Sequence, residues 1–200
     1  CAMSFTGRLA WSARLTWKRG TPPQPEVLPS LSIPLGTELR FPAIIGGAQG
    51  TGVRYYFVDD PAYFDREQLY AVQGKDYPDN AERFAEFSRA AIEVAKLVVQ
   101  PDVIHCHDWQ SALVPVLLRT AYESDPALRE VPVVFTVHNL GYHGLFPGEI
   151  LARLGLAQSL FQIEGLEFFG KVNFLKGGLV FADYLTTVSR KYAQEIQTPE

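Results

Sequence analysis

The sequence predicts an α/β fold in which parallel strands alternate with helices. Two apolar runs rich in β-branched residues, Val103–His107 and Val133–His138, have the composition of buried parallel strands. A third strand is expected over Tyr184–Val188, and helical patterns separate the three runs, as in consecutive strand–helix–strand units. Ligands bind such sheets outside the carboxyl ends of the strands, so the polar residues at those ends are the first candidates for a site.

Composition narrows the class of protein. The chain has 200 residues, of which 47% are hydrophobic and 20% charged, which suffices for one sizeable core. Its formal net charge of −4 does not favour nucleic acid or an anionic membrane as a partner. The apolar runs are far shorter than the ~20 residues that span a bilayer. The two cysteines, Cys1 and Cys106, do not indicate a disulfide framework, which fits a reducing cytoplasm.

The first half of the chain divides into an irregular start, a hairpin and a long loop. Residues 1–30 are predicted to be irregular because the prolines of Thr21–Pro25 cannot continue a helix or a central strand. Strands are expected over Glu38–Ile45 and Val53–Val58, joined by the glycine-rich loop Gly46–Gly52. A strand follows this loop where a phosphate-binding loop would open a helix. Residues 60–79 are rich in Tyr, Asp and Pro and predict a long ordered loop.

Helices are predicted from periodicity and capping residues. Over Asn80–Val99, apolar residues recur at spacings of three and four, and Asp79 or Asn80 can cap the start. Further helices are expected over Gln110–Ala121, Pro147–Leu154, Asn173–Ala182 and Arg190–Ile196, the last capped by Ser189. The adjacent glycines 177 and 178 cost ~1 kcal/mol each relative to Ala in a helix, which indicates close packing against another element.

Polar residues at the ends of the two central strands are the candidate functional groups. Asp108 can cap the following helix or contact a ligand, and the two interpretations are compatible. Trp109 fits either packing or the wall of a site. His105 and His107 share a strand face and could chelate a metal, but no second ligand cluster accompanies them, so a polar strand end is favoured.

The second strand end carries groups suited to a sugar. A neutral imidazole and an amide, as in His138 and Asn139, match hydroxyl groups, and the glycines that follow allow close approach of a ligand. A simple turn explains the same residues. Tyr70 and Tyr77 belong to a loop that mixes aromatic, amide and acidic residues, as carbohydrate sites do. A glycine fingerprint for dinucleotides is absent after the predicted strands, which argues against an oxidoreductase.

Five sequence blocks together resemble bacterial glycogen synthase and plant starch synthase. In order and spacing, the similar blocks are Tyr77–Phe84, Val103–Gln110, Phe135–Tyr142, Asn173–Gly178 and Thr187–Ala193. The resemblance covers residues 31–200, as a partial N-terminal, acceptor-side catalytic domain, and excludes residues 1–30. It implies half of a GT-B glycosyltransferase, whose Rossmann-like domains face each other across a cleft.

The resemblance also implies an activity. Such enzymes transfer glucose from ADP-glucose to the 4-hydroxyl at the non-reducing end of an α-1,4-glucan, with retention of configuration and without a metal or other cofactor. The expected location is the cytoplasm, or the plastid in a plant. The family's Lys-x-Gly-Gly-Leu phosphate loop has no match here, so the 200 residues alone are expected to lack transferase activity. A non-catalytic α-glucan-binding module and a GT-B enzyme that uses another nucleotide sugar are the alternatives.

Site residues follow from the matching positions. The resemblance gives catalytic roles to His138, near the 6-hydroxyl of the transferred glucose, and to Asp108. The positions that would bind substrate are Tyr70, Asn139, Trp109, Tyr77 and Lys176. Two positions depart from the family pattern: Gln110 stands where the family usually has His, and Arg190 where it usually has Pro.

Overall fold

The computed structural model describes residues 3–6, 25–49 and 53–198. Its strands are β1 (Met3–Thr6), β2 (Glu26–Leu28), β3 (Ile33–Leu35), β4 (Glu38–Arg40), β5 (Ala43–Gln49), β6 (Val53–Asp59), β7 (Ala71–Val72), β8 (Lys75–Asp76), β9 (Val103–His107), β10 (Val133–Val137), β11 (Leu145–Pro147), β12 (Glu167–Phe168), β13 (Lys171–Asn173) and β14 (Tyr184–Thr187). The α-helices are α1 (Pro61–Phe64), α2 (Asn80–Val94), α3 (Asp108–Ser111), α4 (Leu113–Leu118), α5 (Ile150–Arg153), α6 (Phe174–Phe181) and α7 (Arg190–Glu195). A π-helical turn covers Ala95–Val99, and a 3₁₀ turn covers Gln158–Leu160.

The central sheet confirms the predicted α/β class. Its strands lie in the order β1-β9-β10-β14, and β9, β10 and β14 run parallel. In register, Ile104 pairs with Val133 and His107 with Thr136. The carboxyl ends of β9 and β10 therefore meet at one edge of the sheet. Helices α3 and α7 each begin directly after a parallel strand, at or close to this edge.

The start of the chain differs from the irregular segment that its composition suggests. Within residues 1–30, β1 pairs antiparallel with β9, and β2 pairs with β5. Both strands are short and are held by partners far away in sequence, which local composition does not reveal. Most of the proline-rich stretch, residues 21–24, lies outside the described residues, and the domain boundary at residue 31 stays a prediction.

The predicted hairpin is present, with one strand divided. Strands β5 and β6 pair antiparallel from Ala43 opposite Asp59 to Gln49 opposite Val53, and the tip of their loop, residues 50–52, lies outside the described residues. The prediction of a single strand over Glu38–Ile45 is wrong, because this segment forms two strands. It is interrupted at Pro42, which has no N–H for a strand ladder, and its first part, β4, pairs with β3.

Helix α2 forms the centre of the core. The predicted single apolar stripe understates its burial, since every residue from Asn80 to Ile92 is buried. The helix continues into the π-helical turn and ends at Gln100, which has a left-handed backbone (φ 50°). Asp79 occupies the N-cap position without a side-chain capping bond, and its carboxylate instead pairs with Arg66.

The buried Arg83 of α2 is paired with polar groups of the helix start and of the preceding loop. The Arg83 guanidinium donates to Asn80 Oδ1 at 2.6 Å and to the carbonyl oxygens of Tyr63 and Leu69 at 2.7 and 3.1 Å. Asn80 Nδ2 in turn donates to the Tyr70 carbonyl at 2.9 Å. The long loop predicted over residues 60–79 contains α1 and the β7–β8 pair, and these bonds fasten it to the buried helix.

Two predicted helices have different bounds. The helix expected over Gln110–Ala121 begins at Asp108 and is divided into α3 and α4 at Ala112, because Pro115 has no N–H to donate to the Ser111 carbonyl. The helix expected over Pro147–Leu154 is shorter, since Leu145–Pro147 pairs with β13 as a strand. The helices after Asn173 and Ser189 are confirmed, and both of these side chains make the N-cap bond.

The glycine pair of α6 allows close packing, as the sequence predicts. A Cβ on Gly178 would lie 2.4 Å from Cζ of Phe135, whose ring is fully buried in β10. A Cβ on Gly177 would lie 2.9 Å from the methyl ends of Leu166 and Val116. The helix therefore rests directly on the central sheet at Gly178.

Replacing Gly178 by Ala should destabilise the fold by about 1–2 kcal/mol, because the cost of overpacking exceeds the gain in helix propensity. The measurement is urea denaturation of the full-length gene product that carries this chain. Gly177→Ala is the matched control, and its loss should be smaller because methyl groups can rotate away. Equal or higher stability of Gly178→Ala would contradict the packing argument.

A buried carboxyl group on α2 titrates in the physiological range. Glu86 is fully buried and accepts a hydrogen bond from Arg40 Nε at 3.1 Å. Burial, and then the negative charge of Asp60, raise the pKa of Glu86 against the opposing effect of Arg40, with a net value of about 8. The folded protein therefore holds a proton that the unfolded chain, with an ordinary pKa near 4.5, releases.

The contribution of Glu86 to the free energy of unfolding should fall as pH rises from about 4.5 to about 8, with a slope of up to about 1.4 kcal/mol per pH unit. Glu86→Gln removes this titration and keeps a neutral acceptor for Arg40. We expect the stability of the variant relative to wild type to increase across this window. A difference that does not change with pH would contradict the buried neutral acid.

Candidate active site

The ends of β9 and β10 bring Asp108 and His138 into direct contact. Asp108 follows β9 with a left-handed backbone (φ 57°), a conformation that Asp adopts more readily than most residues. Its Oδ1 accepts the backbone N–H of His138 at 2.7 Å, and its Oδ2 lies 3.0 Å from His138 Nδ1. The carboxylate therefore bridges the two strand ends, and its side chain does not make the helix-capping bond that the sequence also allowed.

This contact fixes how the imidazole is presented. A carboxylate oxygen is an acceptor, so His138 Nδ1 carries the hydrogen, and Nε2 is the nitrogen left to meet a ligand. The side chains of His138 and Asp108 are 47% and 28% exposed, respectively, so both can be reached from solvent. In the neutral ring, Nε2 is therefore a hydrogen-bond acceptor for a ligand.

Neighbouring hydrogen bonds hold the two strand ends in place. Ser111 Oγ accepts from the backbone N–H of His107 at 2.7 Å and donates to the His107 carbonyl at 2.8 Å. The turn at Asp108 is thereby closed onto α3. After β10, the Leu140 N–H donates to the hydroxyl of Tyr192 on α7 at 2.8 Å. The pair thus sits on a rigid frame, as a functional site requires.

An open cavity of about 600 Å³ adjoins this pair. Most of its walls come from the loop after β10, the start of α3 and the end of the long loop. The lining residues are Tyr70, Ala71, Asp76, Asn80, Asp108, Trp109, Gln110, Asn139, Gly141, Tyr142, His143, Gly144, Leu145 and Phe146. Four predicted site residues, Tyr70, Asp108, Trp109 and Asn139, lie together here, and His138 contacts one of them.

Trp109 combines the packing and wall roles that the sequence left open. Its ring is 8% exposed and packs edge-on against Phe84, with centroids 4.8 Å apart. Tyr70 and Phe146 approach it from two further positions, at 6.3 and 6.1 Å. A Cβ on Gly144 would lie 2.4 Å from Trp109 Cε3, so a glycine is required there.

Asn139 lines the cavity, and its side-chain oxygen is already used by the backbone. Its Oδ1 accepts the backbone N–H of Gly141 at 2.9 Å and closes a turn. The NH₂ group is then the part of the side chain that Asn139 can offer to a ligand. A hydroxyl group is a suitable acceptor for it.

Two predicted substrate-binding residues do not line the cavity. The ring of Tyr77 packs beneath the guanidinium groups of Arg66 and Arg83, at 4.6 and 5.0 Å. The Lys176 ammonium donates to the carbonyl oxygens of Ile163 and Glu167. Both contacts stabilise loops around the site. The roles of Tyr77 and Lys176 in substrate binding stay predictions.

The histidines of β9 form a column of neutral rings. His105 and His107 lie 4.1 Å apart between centroids, and His107 lies 5.3 Å from His138. Burial, followed by the two neighbouring histidines, lowers the pKa of His107 to about 4, and burial lowers the pKa of His105. His105 Nε2 is hydrogen-bonded to Thr136 Oγ1 at 2.6 Å. The bond to Thr136 satisfies His105, whereas His107 Nδ1 is buried without a hydrogen-bond partner in the described part of the chain.

The candidate metal ligands and the thiol of Cys106 lie in the described part of the chain. There, no group of three or more His, Cys, Asp or Glu side chains is placed to hold a metal ion. Cys106 is fully buried as a free thiol, and burial raises its pKa far above its ordinary value. Cys1 lies outside the described residues. In the same ranges, the helices are too short or too polar to cross a membrane.

Sequence reasoning missed several residues of the cavity wall, above all Tyr142 and His143. Their position shortly after a strand end and between two glycines was the available signal. Tyr142 is 67% exposed, and His143 is partly buried beside Asn173. Asn80, a candidate helix cap within a block suited to carbohydrate, also lines the cavity.

Comparisons with known proteins identify the family to which the chain is similar. A sequence model of the starch synthase catalytic domain matches residues 24–200. The chain is 60% identical over 171 residues to a glycogen synthase of Koribacter versatilis, covering 86% of this chain and 35% of that protein. It is 51% identical over 146 residues to a glycogen synthase of Thermodesulfovibrio yellowstonii, covering 72% and 29%, respectively.

A solved structure shows the same fold. The catalytic domain of starch synthase IV from Arabidopsis thaliana, bound to ADP and acarbose, superposes with a TM-score of 0.80 at 29% identity. The match covers 95% of this chain and 39% of that one. This chain thus spans about a third of the length of the curated relatives it matches. Its matching sequence and its GT-B-type α/β fold establish that the chain belongs to the starch synthase catalytic-domain family.

Proposed function

We propose that the protein transfers glucose from ADP-glucose to the non-reducing end of an α-1,4-glucan, with retention of configuration. The observation that carries this proposal is the contact of Asp108 with His138 beside a cavity rich in aromatic and amide groups. Family membership supports the reaction class. The chain contributes the glucan-binding side of the site, and the proposed location is the cytoplasm.

The charges of the cavity wall favour a sugar over a diphosphate. The wall holds the carboxylates of Asp76 and Asp108, and in the described residues that line it there is neither Lys nor Arg. A diphosphate in this cavity would face negative charge without a compensating cation. Aromatic faces and amide donors are instead suited to a neutral, hydroxylated ligand.

The Asp108–His138 pair is suited to the transition state of glucosyl transfer. This transition state is oxocarbenium-like, so positive charge develops at the anomeric carbon. A carboxylate that is already fixed by two hydrogen bonds supplies negative potential without reorganising. His138 Nε2 meets a hydroxyl of the transferred glucose, for which we propose the 6-hydroxyl, and holds the sugar in place.

The remaining assignments belong to the same proposal. Tyr70, Trp109 and Asn139 bind the sugar from the cavity wall, whereas Tyr77 and Lys176 act through the loops that they hold. The Arabidopsis starch synthase IV structure contains ADP and acarbose, which supports a nucleotide and a glucan-like ligand in the family. ADP-glucose and the glucan are the proposed partners of this protein.

The direct test is incubation of the full-length gene product with ADP-glucose and a maltooligosaccharide. We expect longer oligosaccharides by chromatography and new α-1,4 linkages by NMR. Binding of maltooligosaccharide without extension would instead support a glucan-binding module. Extension with another nucleotide sugar only would identify a different donor. The 200 residues alone are expected to leave ADP-glucose unchanged.

Asp108→Asn should reduce kcat by at least about 100-fold. The amide accepts a weaker hydrogen bond from His138 Nδ1 and carries no negative charge to stabilise the transition state. Steady-state kinetics of the full-length protein give the measurement. Glu130→Gln makes the same change of carboxylate to amide on an exposed loop before β10 and should leave kcat unchanged. A kcat within about threefold of wild type for Asp108→Asn would remove Asp108 from the mechanism.

A further inference from the structure

His143 is held in the cavity wall by a hydrogen bond whose direction can be deduced. Its Nδ1 lies 3.0 Å from Nδ2 of Asn173, the residue that caps α6. Asn173 Oδ1 accepts the backbone N–H of Lys176 at 3.0 Å. A backbone N–H must face an oxygen, so the assignment of the Asn173 amide is fixed, and its NH₂ group points at His143.

The same bond fixes the tautomer of His143. An amide NH₂ only donates, so His143 Nδ1 must be the lone-pair nitrogen. The ring hydrogen of the neutral imidazole therefore lies on Nε2. His143 presents a donor at Nε2, whereas His138, held by a carboxylate at Nδ1, presents an acceptor there in its neutral form. Two imidazoles at one site thus offer opposite hydrogen-bonding groups.

The position of His143 is fixed as firmly as its tautomer. Its carbonyl accepts the N–H of Leu175 at 2.9 Å, and the Gly144 carbonyl accepts the N–H of Phe174 at 3.0 Å. The loop is thereby tied to the first turn of α6. The His143 ring also stacks on Phe168, with centroids 5.7 Å apart and planes 23° from parallel. The stacking and the bond at Nδ1 together restrict rotation of the ring.

We propose that His143 is a specificity-determining residue that binds the glucan acceptor, through donation from Nε2–H to a hydroxyl oxygen of the sugar in the cavity. This inference rests on the proposed glucosyl transfer and adds a residue to the acceptor site. The stacked pair of His143 and Phe168 orients the donor, and Asn173 acts as the positioning residue that sets its tautomer. The acidic wall of the cavity directs this contact to the neutral glucan and not to the nucleotide.

Asn173→Asp is the sharpest test because it changes the tautomer while it keeps the cap. One carboxylate oxygen still accepts the Lys176 N–H, and the other now accepts a hydrogen from His143 Nδ1. The measurement is made in alkaline buffer, where the ring is neutral and Nε2 then becomes an acceptor. We expect the KM for maltooligosaccharide to rise about three- to tenfold, which corresponds to the loss of one hydrogen bond to the acceptor. The KM for ADP-glucose should stay unchanged.

Two substitutions of His143 itself provide the matched comparison. Gln can place an amide donor close to the position of Nε2, so His143→Gln should keep the acceptor KM within about twofold of wild type. His143→Phe keeps a ring to stack on Phe168 but has no donor, so its acceptor KM should rise as in Asn173→Asp. Circular dichroism and thermal unfolding of each variant show whether the fold is retained.

A readout apart from activity is the ¹⁵N chemical shift of the His143 ring. NMR of selectively labelled full-length protein should show Nε2 protonated in the wild type and Nδ1 protonated in Asn173→Asp. An Nδ1–H tautomer in the wild type would overturn the inference, as would an unchanged acceptor KM in a folded His143→Phe variant. A rise in the KM for ADP-glucose alone would assign His143 to the donor and also overturn it. Absence of transfer in the wild type would instead count against the proposed function.

Discussion

The Asp108–His138 contact depends on the central sheet, and the candidate site depends on that contact. The two residues are 30 positions apart, and they meet because β9 and β10 are adjacent, parallel and in register. The left-handed turn at Asp108 directs its carboxylate across the sheet edge, where it meets both a backbone N–H and a ring nitrogen. A shift in register would separate the pair, so the fold itself sets the protonation pattern of the imidazole.

A second constraint lies in the buried helix α2. Burying a charged side chain is unfavourable unless it is paired, and Arg83 satisfies this condition with the carbonyl groups of the long loop. The loop is thereby fixed against the helix, and Asn80 fixes the Tyr70 carbonyl in the same way. Tyr70 reaches the cavity from that loop. The polar groups of the core therefore position one wall of the site, while the parallel strands position the other.

The sequence predicted those features that depend on local pattern. The runs at β9, β10 and β14, the length of α2 and the cap at Ser189 all carry their signals within a few residues. Features that depend on distant partners were missed or misassigned. Strand β11 exists because β13 pairs with it, and Asp108 turns to His138 instead of capping its helix. Likewise, nothing near His143 in sequence indicates that Asn173 sets its tautomer.

The two imidazoles of the site show how a fold can give one side chain type two chemical roles. Both rings are held at Nδ1, but the partner is a carboxylate for His138 and an amide nitrogen for His143. The partner decides which nitrogen keeps the hydrogen, and hence whether Nε2 accepts or donates. A sugar hydroxyl can do both, so it can meet an acceptor on one side and a donor on the other. Hydroxylated ligands match such a pair of rings better than ligands that carry acceptors only, and this complementarity agrees with the acidic and aromatic residues that line the cavity.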